Sequence, residues 1–144
     1  MASDFSRRLS DGRAGFPEVL DAIEAHLAAR GAPPSVVAPV VIATDDVISN
    51  VLDHGGDGGV APRVDVTVTV ADSQVTVWIV DDGPAFNPLD TAAPDTALSL
   101  DDRAIGGLGV HLVRRLMDSV SYERRDGCNR LRFAKRYVSP ASNT

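Results

Sequence analysis

Three short stretches carry residue types that could do chemistry together. Asp46, Asn50, Asp53 and His54 are spaced i, i+4, i+7 and i+8, so a helix puts them on one face. An asparagine amide oxygen is a neutral, hard donor suited to Mg²⁺, an ion that keeps most of its waters and touches phosphate. A carboxylate one turn earlier, at Asp46, could orient or deprotonate a hydroxyl or a water. The second stretch is Asp81-Asp82-Gly83-Pro84-Ala85, directly after an apolar run. A carboxylate fixed there can accept a hydrogen bond from an exocyclic amine such as that of adenine, while Gly83 and Ala85 let a flat ring approach the backbone. The third is Gly106-Gly107-Leu108-Gly109, which opens a helical pattern. Free N–H groups at a helix start favour anions, and glycine permits close approach of a phosphate.

Singly, each stretch has a plainer reading: a solvated helix face, a strand-ending turn, a helix start with permissive glycines. The third is not a Walker A loop, since no Gly-Lys-Ser/Thr follows, and it is not a complete GxGxxG, because position 112 is Leu.

The elements that must position these residues are legible from periodicity. Phe16, Leu20, Ile23 and Leu27 form one helical stripe, with Pro17 early and Gly31 at the end. His26 lies beside that stripe as a packing or surface residue. A second helix is expected from about Pro39 to His54, with Val40, Val41, Val47, Ile48, Val51 and Leu52 as its apolar set. Val64, Val66, Val68 and Val70 alternate with polar residues, a half-buried strand. Ala71-Asp72-Ser73-Gln74 turns the chain into a second strand, Val75 to Val80, apolar at nearly every position and therefore central. Residues 84–105 have no clear period and contain Pro84, Pro88 and Pro94, which fits a functional lid. A helix then runs to about Met117, and Val120–Arg124, Asp126-Gly127 and Arg130–Val138 read as a closing hairpin. The order is helix, helix, hairpin, lid, helix, hairpin. It predicts an α+β fold, a two-layer α/β sandwich with a mostly antiparallel sheet and helices on one face.

Composition narrows the function classes. The 144 residues suit one domain with a real core, here 1–138, followed by a disordered tail at 139–144. Fourteen Lys+Arg against twenty Asp+Glu give a net charge of −6, which argues against binding nucleic acid by phosphate neutralisation. The Arg pairs, Arg7-Arg8, Arg114-Arg115 and Arg124-Arg125, are too dispersed for a basic patch. Cys128 is the single cysteine, so no internal disulfide forms and nothing suggests a zinc site. The N-terminus lacks the apolar run of a signal peptide, and the longest apolar run, Val36–Ala43, is interrupted by Pro39. A cytoplasmic protein with no membrane partner is expected.

In their order and spacing the three stretches resemble the N, G1 and G2 boxes of the GHKL ATPase superfamily. They are most similar to those of the small bacterial anti-sigma-factor serine/threonine kinases. Asp45-Asp46-Val47-Ile48-Ser49-Asn50-Val51-Leu52-Asp53-His54 looks like the N box. Asp81 to Pro88 looks like the G1 box with its Pro-x-Phe extension. Gly106 to Arg114 is similar to the G2 box, and Met117 to Tyr122 to the segment directly after that box. The resemblance covers about Pro17 to Arg136 and implies a Bergerat-type ATP-binding fold. No histidine-containing dimerisation helix precedes the boxes, so a sensor histidine kinase is not expected.

Carried over by position, the resemblance makes Asn50 the Mg²⁺ ligand and Asp81 the adenine-contacting aspartate. Gly83 and Ala85 then lie under the base, His54 belongs to the ATP site, and Gly107, Leu108 and Gly109 hold the lid end and the phosphates. Asp46 takes the place of the catalytic carboxylate, for which the family usually has Glu, one methylene longer. Arg132 lies near where many relatives carry a Thr close to the adenine, and Arg103 could reach the γ-phosphate. The implied cofactors are ATP and Mg²⁺. The implied partners are a sigma factor, an anti-sigma-factor antagonist phosphorylated on serine, and a second copy in a homodimer. The shorter Asp46 keeps open an alternative, a non-catalytic module that binds nucleotide and sequesters its partner without kinase activity.

Overall fold

The computed structural model describes residues 4–10, 14–54, 62–85 and 113–138. Two helices pack on one face of a five-stranded antiparallel sheet, as the element order predicts. The strands are β1 (Phe5–Leu9), β2 (Val64–Ala71), β3 (Gln74–Asp81), β4 (Ser119–Arg125) and β5 (Cys128–Arg136), arranged β1-β2-β3-β5-β4. The apolar strand β3 is indeed the central one.

Both hairpins turn in two residues with positive φ, Asp72-Ser73 (54° and 59°) and Asp126-Gly127 (55° and 77°). Left-handed pairs of this kind match the right-handed strand twist. They set the register in which Val64, Val66, Val68 and Val70 of β2 and Val75, Val77 and Ile79 of β3 face the helices. Leu131 and Phe133 of β5 join the same core.

Helix α1 (Phe16–Ala29) buries Phe16, Val19, Ile23 and Leu27. Leu20 of the expected stripe is only half-buried at its edge, with Val19 taking the inner position. The helix ends in a Schellman arrangement around Gly31 (φ 88°): Gly31 N–H donates to Ala28 O and Ala32 N–H to Leu27 O, both at 3.0 Å.

Two expectations need correction. Helix α2 spans Pro34–His54, so Pro39 sits inside it rather than at its start. Pro33 O accepts the amides of Val36 (2.8 Å) and Val37 (3.0 Å), and Pro34 pre-sets the first turn. The apolar residues Val36, Val37, Val40 and Ala43 are buried, and that burial outweighs the one hydrogen bond Pro39 removes. The helix is long and apolar enough to cross a membrane by length and composition alone, with mean hydropathy 1.5 over Pro34–Asp53. Here Val36, Val40, Ala43, Val47 and Ile48 are buried in the core, while Ile42 stays exposed.

The second correction is β1, an edge strand absent from the predicted order. Its inward residues are only Phe5 and Leu9; Arg7, in phase with them, folds its guanidinium over the Phe5 ring at 4.6 Å. Asp4 anchors it by accepting the Val70 amide at 2.6 Å while pairing with Arg30 at 3.2 Å. His26 packs beside this anchor, tilted against Phe5 at 5.4 Å.

Candidate functional site

The two helices bring one end of the sheet and one end of α2 together. Helix α1 starts beside Leu9, whose Cδ2 would lie 3.9 Å from a Cβ on Gly15, and Leu9 pairs with Val64. It ends where Arg30 donates to Val70 O at 2.9 Å, at the opposite end of β2. Helix α2 therefore begins at the Val70 end. Its 21 residues span about 31 Å against about 27 Å for an eight-residue strand, long enough to run the length of the sheet. A helix running back along the sheet would bring its C-terminal turns, Asp46 to His54, toward the end at which Val64 pairs with Asp81.

Asp81 is the last residue of β3, 5% exposed, and points to the helix side of the sheet. Its Oδ1 accepts two hydrogen bonds, from the Gly83 amide at 2.9 Å and from Asn129 Nδ2 at 3.0 Å. Oδ2 takes neither. Burial pushes the carboxyl above the ordinary aspartate range and Asp82 adds to that, while the bonds from Asn129 and Gly83 and the nearby Arg124 oppose it. The following turn is held from the other strands: Asn129 Nδ2 also donates to Pro84 O at 2.9 Å, and Arg124 Nη1 to Gly83 O at 2.8 Å. Gly83 is buried and Ala85 exposed.

On α2, Asp46 and Asn50 are half-buried and Asp53 is exposed. Asp46 Oδ2 is buried, with no hydrogen-bond partner among the described residues. Its carboxyl is raised above the ordinary range by burial first and by the neighbouring Asp45 second. Asp45 itself accepts from Ser49 Oγ at 3.1 Å. A carboxylate oxygen without a partner in a dry position is a poised proton acceptor. Among the described residues no group of three or more His, Cys, Asp or Glu could hold a metal ion. An ion at Asn50 would thus take most of its ligands from phosphate and water, the habit of Mg²⁺.

His54 ends α2. Gly107, Leu108 and Gly109, Arg103, the tail at 139–144 and all of the expected lid beyond Ala85 lie outside the described residues. The helix expected before Met117 is described only over 113–116, where Met117 N–H donates to Val113 O at 2.9 Å and Lys135 Nζ donates to Leu116 O.

Arg132, the departure from the relatives' Thr, makes no contact with Asp81 among the described residues. It pairs with Trp78 on the outer face of the sheet and reaches Ser119 Oγ at 3.5 Å, away from Asp81. The β5 residue opposite Asp81 is Asn129, which sequence reasoning passed over. A signal was present: Asn129 is an uncharged polar residue in phase with the inward Leu131 and Phe133.

Comparison with known proteins identifies a family and structures of similar fold. The family model described as "Histidine kinase-like ATPase domain" matches residues 13–135. The chain is 34% identical over 92 residues to the serine/threonine-protein kinase BtrW of Bordetella bronchiseptica, a match covering 64% of this chain and 65% of that protein. The chain thus spans just under two thirds of that relative's length. Its fold is similar to the RsbU and RsbW domains of Rv1364c from Mycobacterium tuberculosis, with TM-score 0.64 and 18% identity, over 92% of this chain and 32% of that one. It is also similar to the histidine kinase domain of the blue-light activated histidine kinase from Erythrobacter litoralis EL346, with TM-score 0.53 and 18% identity, over 94% and 69%.

Proposed function

This chain belongs to the histidine kinase-like ATPase domain family, and from that membership we propose that it is an ATP- and Mg²⁺-dependent serine/threonine protein kinase and anti-sigma factor of a partner-switching system. It sequesters a sigma factor and phosphorylates a serine of an antagonist protein. The observation that carries the reading is Asp46 Oδ2, a buried carboxylate oxygen with no hydrogen-bond partner among the described residues, one helical turn from Asn50.

In this reading Asp81 Oδ2 accepts from the adenine amine, Gly83 and Ala85 flank the base, His54 lines the nucleotide site, and the amides of Gly107, Leu108 and Gly109 meet the phosphates. Asn50 would hold the Mg²⁺, which supplies charge neutralisation across the β- and γ-phosphates. The serine Oγ of the antagonist forms a bond to the γ-phosphorus as its proton passes to Asp46 Oδ2. The bond from that phosphorus to the β,γ-bridging oxygen breaks, and ADP leaves with the electron pair. The raised affinity of Asp46 for a proton suits that step.

The family relation to a named serine/threonine kinase supports this choice of acceptor. The net charge of −6 supports protein partners over nucleic acid. A cytoplasmic homodimer built on residues 1–138 completes the proposal. One feature favours a second reading as a non-catalytic sequestration module: position 46 holds Asp, whose reach is one methylene short of the family's usual Glu. The deciding experiment incubates the protein with ATP, Mg²⁺ and the antagonists encoded near its gene and follows phosphate transfer. Serine phosphorylation supports the kinase; nucleotide binding with no transfer to any antagonist supports the module.

A further inference from the structure

We propose that Asn129, oriented by Tyr122, is the positioning residue that makes Asp81 select a purine carrying an exocyclic amine and reject one carrying a carbonyl there. The inference rests on the adenine-nucleotide reading of this site and deepens it.

Asn129 and Asp81 are register partners of β5 and β3, 6% and 5% exposed. Asn129 Nδ2 donates to two acceptors, Asp81 Oδ1 at 3.0 Å and Pro84 O at 2.9 Å. Its Oδ1 accepts from the Tyr122 hydroxyl of β4 at 2.5 Å. The amide therefore has one workable orientation. Flipped, it would turn an oxygen toward a carboxylate and a carbonyl, three acceptors with no proton among them. A Thr at this position could reach one of those acceptors but not both.

The consequence falls on Asp81. With the Gly83 amide and Asn129 both donating to Oδ1, the carboxyl is held in one rotamer and its ionised form is favoured against the burial that opposes it. Oδ2 is left as a fixed acceptor. A fixed acceptor binds an N–H and repels a carbonyl oxygen, so the pair reads position 6 of the purine. Without the Asn129 donors, Asp81 takes up a proton more readily. Its protonated form can donate to a carbonyl, and the discrimination fades.

The test measures calorimetric affinity for ATP and for inosine triphosphate, which carries a carbonyl at position 6, between pH 5.5 and 8. It uses the full chain, wild type, Asn129→Leu and Tyr122→Phe. The wild type should prefer ATP by about 10²-fold or more. Asn129→Leu should reduce that preference at least about tenfold, and its ATP affinity should fall as the pH is lowered. Tyr122→Phe should act in the same direction by about threefold and stands as the test on its own if Asn129→Leu does not fold. Equal losses for both nucleotides with an unchanged pH profile would mean that Asn129 only packs, and the inference falls. If the wild type binds neither nucleotide, the adenine reading fails first. If it binds ATP and the ratio is insensitive to both variants, only the present inference fails.

Discussion

Asn129 and Asp81 stand opposite each other across β3 and β5, joined by a 3.0 Å hydrogen bond between residues 48 apart in sequence. The bond ties the aspartate that ends one hairpin to the first inward residue of β5 in the other. A carboxylate buried at a strand end would otherwise lack the donors that water supplies. The sheet provides them, and it provides them on one oxygen only.

Nucleotide should stabilise the native protein through this aspartate. ATP and ADP bind the folded state, so each should raise the melting temperature by mass action. Asp81→Asn should remove most of that shift while leaving the protein folded without nucleotide, since Asn129, Gly83 and the turn remain. Equal shifts in wild type and variant, by scanning fluorimetry, would take Asp81 out of the site.

Asp46 separates the kinase from the sequestration module. Asp46→Asn should keep ATP affinity within a few-fold and cut phosphotransfer by roughly 10²–10⁴, the range for losing a general base. Asp46→Glu should match or exceed wild type, because it restores the longer carboxylate. Transfer by Asp46→Glu alone would identify the wild type as a binding module.

The same residue should cost the fold stability at neutral pH. Its pKa is raised above the ordinary 3.8 by burial and by Asp45, so between the ordinary and the raised value the folded protein holds a proton that the unfolded chain has already released. Stability from such a group is full below the ordinary value and is lost as the pH rises through the raised one. Asp46→Asn should then raise the melting temperature of the nucleotide-free protein at pH 7. The gain should shrink toward zero as the pH is brought down to about 4. A gain that is independent of pH would contradict a raised pKa at this site.

The edge strand should depend on Asp4. Its carboxylate accepts the Val70 amide at 2.6 Å and pairs with Arg30 at 3.2 Å. Asp4→Ala leaves the Val70 donor and the Arg30 charge without that partner and should cost about 1–3 kcal/mol in urea denaturation. Amide exchange should quicken first across Phe5–Leu9, while β3 and β5 stay protected. Uniform loss of protection would mean that β1 is not a separable edge.

Asn50→Ala should weaken Mg²⁺-dependent more than Mg²⁺-free nucleotide binding, by about tenfold in the ratio, since a metal ligand is lost and the base contact kept. Titrating nucleotide with Mg²⁺ and with EDTA gives that ratio. An unchanged ratio would move the ion elsewhere.

What could be read in the residues alone was local. The stripe through Phe16, Ile23 and Leu27, the alternation from Val64 to Val70 and the turns at Asp72-Ser73 and Asp126-Gly127 each record a period or a φ preference within a few residues. The boxes around Asn50 and Asp81 were equally visible, because their residue types and order are properties of the chain. The failures share a cause. The edge strand Phe5–Leu9 has only two inward apolar residues, and its pairing comes from Val64–Val68, far along the chain. The start of α2 at Pro34 was hidden by Pro39, whose helical interior position is tolerated because the residues around it are buried on the sheet. The partner of Asp81 depends on which strand lies beside β3. Period-two alternation says which residues of β5 share a face, but not which face meets the helices or what stands across from it. Only the order β1-β2-β3-β5-β4 puts Asn129 against Asp81 and sends Arg132 to the outer face, because strand pairing is a contact between distant segments and leaves no period in either one.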